Sequence, residues 1–356
     1  MVGCGAIAGQ YLETFARLDQ VQLVAVADLD RSRAEAVAGP LPGVRVLEVD
    51  QLLVDEEVEL VLNLTIPAAH ADVALAAIAG GKSVYGEKPL ALDVEQARGV
   101  VAAATAAGVA LGCAPDTVLG TGIQTARKAV DDGLVGSVVS ATATMTTPGH
   151  ERWHPNPDFY YVPGGGPLLD MGPYYVTALV TLLGPVTSVL GASSRTRDTR
   201  VIGSGPRAGE QIPVRTDTHV TGILTHASGT LSTLVMTFDA VATRAANLEV
   251  HGESGSLVVP DPNRFTGDVL LQTLEERSWR VLDVAAGYRD AGRGYGVADL
   301  ARTPAGEEPR AGGTLALHVL DVMESLLTSA ASGRSQAVST TAPRPAPVPL
   351  QSLHAR

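Results

Sequence analysis

Three groups of residues in this chain could do chemistry. Asp170 and Tyr174 stand four residues apart, so on a helix they share one face. A carboxylate beside a phenol is a proton-handling pair suited to alcohol oxidation or ketone reduction. The plainer alternative is that Asp170 caps the helix and Tyr174 is core. Lys88, in Glu87-Lys88-Pro89, is one of three lysines, with Lys82 and Lys128, against 23 arginines. A compact ammonium on a flexible stem can hydrogen-bond a reacting hydroxyl, and burial can tune its acidity. The third group is Gly3-x-Gly5-x-x-Ala8 at the start of a helix. Gly3 permits a tight turn, Gly5 lets a pyrophosphate approach the backbone, and Ala8 allows close helix–strand packing. Free N–H groups around Ala6 and Ile7 would bind the anion. Asp28 ends the next strand, 23 residues after Gly5, where a carboxylate accepts hydrogen bonds from a ribose diol and repels a 2′-phosphate. That favours NAD, while Arg31 and Arg33 nearby keep NADP open.

A loop of aromatic and polar residues precedes Asp170. It reads Trp153-His154-Pro-Asn-Pro-Asp158-Phe159-Tyr160-Tyr161. Six of the 14 aromatic residues fall between Trp153 and Tyr175, where an even spread puts about one. Sugars offer apolar C–H faces to such rings and hydroxyls to Asp158 and His154. Trp153, His154, Asp158, Phe159 and Tyr160 are therefore the candidate substrate contacts. The alternative is a loop packed on its own domain.

The elements that must hold these residues alternate first and then change. Helices are expected over 6–18, 31–38, 68–79 and 94–107, with strands over 21–27, 44–47, 58–65, 83–86 and 109–113. Short connections between them predict a parallel sheet covered on both faces. Only two residues precede Gly3, whereas a central strand needs about five, so an apolar strand encoded upstream of Met1 is expected. After about residue 118 a helix over 120–131 leads to a strand over 137–145 and a helix over 169–183. Strands follow over 186–193, 218–225, 231–238, 245–251 and 256–259. Tight turns between them predict an open mixed, largely antiparallel sheet. A last helix over 314–330 precedes a Pro-rich tail.

Composition narrows the class. The chain has 356 residues, 45% apolar and 18% charged, with net charge −12. A diffuse acidic excess argues against nucleic-acid binding, and no apolar run suits a membrane span. Cys4 and Cys113 form neither a disulfide framework nor a ligand set, and the histidines lack metal-ligand spacing, so no metal is expected. Without a signal peptide in the given chain, a cytoplasmic location is expected.

Gly3-x-Gly5-x-x-Ala8, Thr65-Ile66-Pro67 with His70, Glu87-Lys88-Pro89 and Gly164-Gly165-Gly166-x-x-x-Asp170-x-Gly172 occur in that order. Together they resemble the glucose-fructose oxidoreductase / inositol dehydrogenase / MocA (Gfo/Idh/MocA) family over nearly the whole chain. The resemblance implies a Rossmann NAD(P)-binding domain over 1–118 and an α/β substrate and oligomerisation domain over 119–356. It adds Thr65, Pro67, His70, Glu87 and Lys88 to the cofactor site and makes Lys88 and Asp170 catalytic. Many members carry His where Tyr174 stands. A branch similar to dihydrodiol and xylose dehydrogenases uses Tyr, which needs cationic help to act as a base near neutral pH. The expected function is hydride transfer between nicotinamide and a secondary alcohol or ketone of a sugar, cyclitol or similar polyol. In it Tyr174 moves the hydroxyl proton, Lys88 polarises the oxygen, and Asp170 orients Lys88 or binds a neighbouring hydroxyl. The alternative is a dinucleotide- and sugar-sensing regulator on the same fold. A homodimer or homotetramer is expected, with no nucleic-acid or membrane partner.

Overall fold

Capped helices and short buried strands alternate through the first third of the chain, as their local signals require. In the computed structural model, which describes residues 1–304 and 306–353, α1 spans Ala8–Phe15, β1 Ala25–Val26, α2 Arg31–Ala38, β2 Arg45–Val46 and α3 Val49–Val54. β3 (Leu60–Asn63), α4 (Pro67–Ala79), β4 (Ser83–Gly86), α5 (Val94–Ala107) and β5 (Leu111–Cys113) follow. Asp30 caps α2 by accepting from the Ser32 N–H, and Asp93 caps α5 by accepting from the Gln96 N–H. These two side chains satisfy otherwise orphaned donors at the helix starts.

β1 pairs with β2, β3 with β4, and β4 with β5, all in parallel. Val2 bridges Ala27 on one side and Asn63 on the other, so strand order reverses around it. Ligands in open α/β sheets bind at such a switch point, outside the carboxyl ends of the strands. The expected strand over 21–27 is a ladder only at Ala25–Val26. An apolar run declares burial, while a strand also needs a neighbour to take its hydrogen bonds. Met1 is buried, and its backbone nitrogen donates to the Ala25 carbonyl at 2.8 Å.

The chain groups into two compact units that differ from a division after residue 118. The first holds Met1–Gln124, Ala285–Leu320 and Pro345–Arg356, and the second Thr125–Val284 and Asp321–Arg344. Later segments return to the first unit through backbone pairing of Gly112 with Gly312, Gly120 with Tyr288 and Ala286 with Pro349. The Val348 N–H donates to Gln124 Oε1 at 3.0 Å, and Val348 and Leu353 are buried. The Pro-rich tail is thus a packed strap.

The boundary falls within α6 (Thr121–Asp131). The second unit contains β6 (Val138–Thr146), α7 (Pro167–Leu183), β7 (Val186–Ser194), β8 (Thr199–Val201), β9 (Gln211–Pro213), β10 (His219–His226) and β11 (Leu231–Thr237). β12 (Leu248–Gly252), β13 (Gly255–Val259), β14 (Leu270–Thr273) and β15 (Arg280–Val281) follow. α8 (Tyr295–Ala301) belongs to the first unit; α9 (Gly313–Ser332) crosses the boundary; β16 (Gln336–Ala337) returns to the second. One nine-stranded sheet has the order β15-β14-β13-β12-β6-β11-β10-β7-β16. β6 and β11 pair in parallel and the other neighbours antiparallel, which is the mixed sheet expected. α7 packs across β6, β10 and β11, covering Ala143, Leu224, Leu234 and Met236, all fully buried. On the opposite face Leu190, Ile223 and Leu231 are exposed. Among the described residues no helix is long and apolar enough to cross a membrane.

Candidate active site

In the first unit the Gly-rich turn sits at the switch point. Gly3 has φ +93°, and a Cβ there would lie 2.6 Å from the Leu64 carbonyl, so no other residue fits. Gly5 has open space around its Cα. A cavity of about 500 Å³ opens beside it, lined by Gly3, Gly5, Asp28, Leu29, Thr65 and Ile66 among others. Leu29 and Ile66 are 99% and 69% exposed. Apolar side chains held so open beside a cavity suit the faces of an adenine ring. Asp28 accepts from the Cys4 N–H at 2.7 Å and from the Asp30 N–H at 2.9 Å. It therefore fastens the Gly-rich turn and keeps acceptor capacity for a ribose diol. These residues fit a dinucleotide.

Four expected cofactor residues, Gly3, Gly5, Asp28 and Thr65, line this cavity; Ala6, Ile7, Pro67, His70, Glu87 and Lys88 do not. Pro67 is the first residue of α4, where a missing N–H is harmless. His70 is buried, with Nδ1 2.6 Å from the Pro89 carbonyl and Nε2 3.0 Å from the Thr65 carbonyl. It ties the turn after β3 to the Glu-Lys-Pro segment rather than reaching outward. Glu87 accepts from the Tyr11 hydroxyl at 2.8 Å and from the Lys88 N–H at 3.0 Å. Its carboxylate thereby fixes the backbone that carries Lys88, just beyond β4. Tyr11 has no part in the sequence-based site; it reaches Glu87 from α1.

In the second unit α7 carries Asp170 and Tyr174 one turn apart, as the spacing requires. Tyr174 is 6% exposed. Tyr175 is structural: its hydroxyl accepts from Asn247 at 2.9 Å and faces Asp261 at 3.3 Å. The glycines before α7 let the chain fold back on the aromatic loop. A Cβ on Gly165 would lie 2.5 Å from the Phe159 carbonyl, and the Gly166 N–H donates to Tyr160 O at 2.8 Å. The loop forms a platform in which Phe159 leans against Tyr160, 4.0 Å between centroids with the planes 37° apart, and His154 lies 5.3 Å from Phe159 and 5.4 Å from Trp153. Trp153 and Phe159 are more than half exposed. Asp158 is also engaged within the protein. Both its oxygens accept from Arg207, at 2.6 and 3.1 Å, a bidentate pair that holds its carboxyl below the usual range. It anchors the loop.

His150 was not among the sequence candidates. It opens a short turn over His150–Arg152, and its Nε2 lies 3.0 Å from Asp170 Oδ2. The two are 20 residues apart with no periodic relation, so nothing in the spacing links them. Beneath the loop lies a buried ion cluster. Arg200 donates to Glu151 Oε1 and to Phe238 O, both at 3.1 Å, and also pairs with Asp239. Tyr161 donates to Glu151.

Family comparison agrees with both units. The NAD-binding Rossmann-fold model of an oxidoreductase family matches residues 1–114, and the GFO/IDH/MocA C-terminal domain model matches residues 123–258. A 1,5-anhydro-D-fructose reductase of Ensifer adhaerens is 29% identical over 82% of this chain and 84% of its own length. An inositol 2-dehydrogenase of Rhizobium meliloti is 27% identical over 72% of this chain and 73% of its own. An NAD-binding oxidoreductase of Klebsiella pneumoniae superposes with TM-score 0.82 at 24% identity, covering 95% of this chain and 98% of that one. Levoglucosan dehydrogenase, in complex with NADH and levoglucosan, superposes with TM-score 0.79 at 19% identity, covering 95% and 98%. With a nucleotide-shaped switch point at Gly3 and matches to both domain models, this chain belongs to the Gfo/Idh/MocA family of NAD-binding oxidoreductases.

Proposed function

We propose that the chain oxidises a secondary alcohol of a sugar, cyclitol or similar polyol, or reduces the corresponding ketone. The observation that carries this is Asp170 and Tyr174 on one face of α7, in the unit that also presents the Trp153–His154–Phe159 platform. A proton carrier and a surface for C–H faces are what polyol chemistry requires. The relatives' names, a 1,5-anhydro-D-fructose reductase and an inositol dehydrogenase, point to the same substrate class. A regulator has no need of this proton-handling pair.

A nicotinamide bound at this switch point would supply the hydride acceptor for oxidation and the hydride donor for reduction. Tyr174 exchanges the proton of the reacting hydroxyl. The Lys88 ammonium donates a hydrogen bond to the same oxygen and favours its anionic form, as opposite charge must. Asp170 accepts from a neighbouring substrate hydroxyl. Asp28 selects the ribose diol of NAD over a 2′-phosphate. Two free buried cysteines favour a reducing, cytoplasmic location. The exposed sheet face favours a dimer or tetramer.

The test is absorbance at 340 nm with NAD and myo-inositol, levoglucosan, D-apiose or D-glucose, and with NADH and 1,5-anhydro-D-fructose. Tyr174→Phe keeps the ring and removes the proton carrier. Lys88→Arg keeps the charge but replaces a point donor with a planar fork. Each is expected to bind NADH nearly normally and to lose about 10²-fold or more in kcat. Full turnover by Tyr174→Phe would remove it from the mechanism.

A further inference from the structure

The second unit contains a hydrogen-bonded chain from an exposed ring to the α7 carboxylate. Trp153 Nε1 lies 3.3 Å from His150 Nδ1, and His150 Nε2 lies 3.0 Å from Asp170 Oδ2. An indole N–H only donates and a carboxylate only accepts. Nδ1 must therefore accept and Nε2 must carry the hydrogen. One neutral tautomer satisfies both contacts, and the other breaks both.

We propose that His150 is a positioning residue that joins Trp153 and Asp170 into one unit, so that the seat of the indole sets the orientation of the carboxylate. The proposal rests on the reading of Asp170 as a substrate-facing carboxylate.

Three observations support it. Exposure is concentrated at one end: Trp153 is 58% exposed, and the His150 and Asp170 side chains only 12% and 17%. The outer end can meet a ligand while the inner end is shielded. The imidazole is also walled by rings, with centroids 4.4 Å from Phe238, 4.8 Å from Tyr160 and 5.2 Å from Trp153. Its backbone is held by the next residue, Glu151, which is buried and bonded to Arg200 and Tyr161. Both ring nitrogens are engaged inside the unit, so His150 acts through Asp170 and is not itself a proton carrier for substrate. A ligand that packs on Trp153 tilts or seats the indole, and the bond through His150 transmits that placement to Asp170. Preorganised orientation of this kind governs rate strongly, since a displacement of about 1 Å can cost roughly 10²-fold.

Two measurements test this on the full chain. With ¹⁵N-labelled histidine, long-range proton–nitrogen spectra of the NADH-loaded protein should show His150 as the Nε2–H tautomer. The signal is assigned by its loss in His150→Gln. An Nδ1–H tautomer, or a rapid average of the two, overturns the proposal. The second measurement is turnover of levoglucosan and myo-inositol with NAD. His150→Phe keeps the ring contacts and removes both hydrogen bonds. Its kcat should fall about 10-fold or more, with the NADH Kd and melting temperature nearly unchanged. His150→Gln can accept from the indole and donate to the carboxylate, and should recover to within about 3-fold of the parent. Adding Trp153→Phe to His150→Phe should change kcat less than Trp153→Phe does alone, because both act through one path. Full activity of His150→Phe, or equal loss in Phe and Gln variants, overturns the proposal. If the parent turns over neither probe, the substrate reading fails, and the tautomer alone decides the role of His150.

Discussion

Asp28 binds before any nucleotide arrives. Its carboxylate already accepts from the Cys4 and Asp30 N–H groups, so it both shapes the turn and faces the cavity. Asp28→Ala should therefore weaken NAD binding about 10-fold, and NADP binding less, because a charge that repels the 2′-phosphate is lost as well. Dissociation constants for both nucleotides check this, and an unchanged ratio would place Asp28 away from the ribose. His226 gives a pH dependence. It is buried, with Nδ1 donating to the Gly184 carbonyl at 2.8 Å and Ser232 at its other nitrogen. Burial holds its pKa below the ordinary 6.5, and the Gly184 bond only partly opposes that. The unfolded chain then takes up a proton before the folded one does as pH falls. His226 stabilises fully above about 6.5, and that contribution is lost as pH falls through 6.5 towards the folded value. Melting temperatures from pH 7.5 to 5.5 should drop less in His226→Gln than in the parent. Residues tied to neighbours in sequence were legible: Gly3, Gly5 and Asp28 line one cavity. Residues that act across folded space were not. The bonds from Tyr11 to Glu87 and from Asp158 to Arg207 span 76 and 49 residues, and no local pattern marks them.

At the scale of elements, the loop before α7 hangs on a buried cation. The Arg200 side chain is 1% exposed and that of Glu151 4%. The Arg200 guanidinium also lies 5.2 Å from the Tyr161 ring centre. Arg200→Met takes the cation away from the buried Glu151 and the partly buried Asp239. That should destabilise by about 3–5 kcal/mol, lowering the melting point on the order of 10 °C and raising KM as the loop loosens. Thermal melts beside kinetics check it, and a change below about 1 kcal/mol would mean that the carboxylates find other partners. The same arginine hid a strand: Thr199–Val201 has a charge at its inward position, so no alternation announced β8. α3 was missed too, because six residues are too few to show periodicity, although Glu48 and Gln51 form a capping box at its start. By contrast α2 and α5 run as expected, over Arg31–Ala38 and Val94–Ala107. Cap residues and the left-handed Gly108 are written in the local sequence, whereas strand length depends on a partner elsewhere.

For the whole molecule, the exposed face of the nine-stranded sheet carries the prediction about assembly. Leu190 and Ile223 are direct cross-strand partners and both are exposed, 46% and 44%. Apolar pairs open to water on a broad sheet favour a second copy. Light scattering at micromolar concentration should give a dimer or tetramer. Leu190→Glu with Ile223→Glu places like charges opposite each other and should yield monomers that keep their fold by circular dichroism. A monomeric parent refutes the assembly reading. The Pro-rich strap has a different consequence, for synthesis. The first unit needs residues 285–320 and 345 onward, yet its opening stretch leaves the ribosome 221 residues before position 345. At roughly 5–20 residues per second, the nucleotide-binding half waits about 10–45 s for its last segment, while the interposed sheet is still being made. Nascent chains halted in that interval carry a nucleotide-binding half with its Val348 and Leu353 seats uncovered. Chaperones and proteases that read apolar surface have that window in which to act.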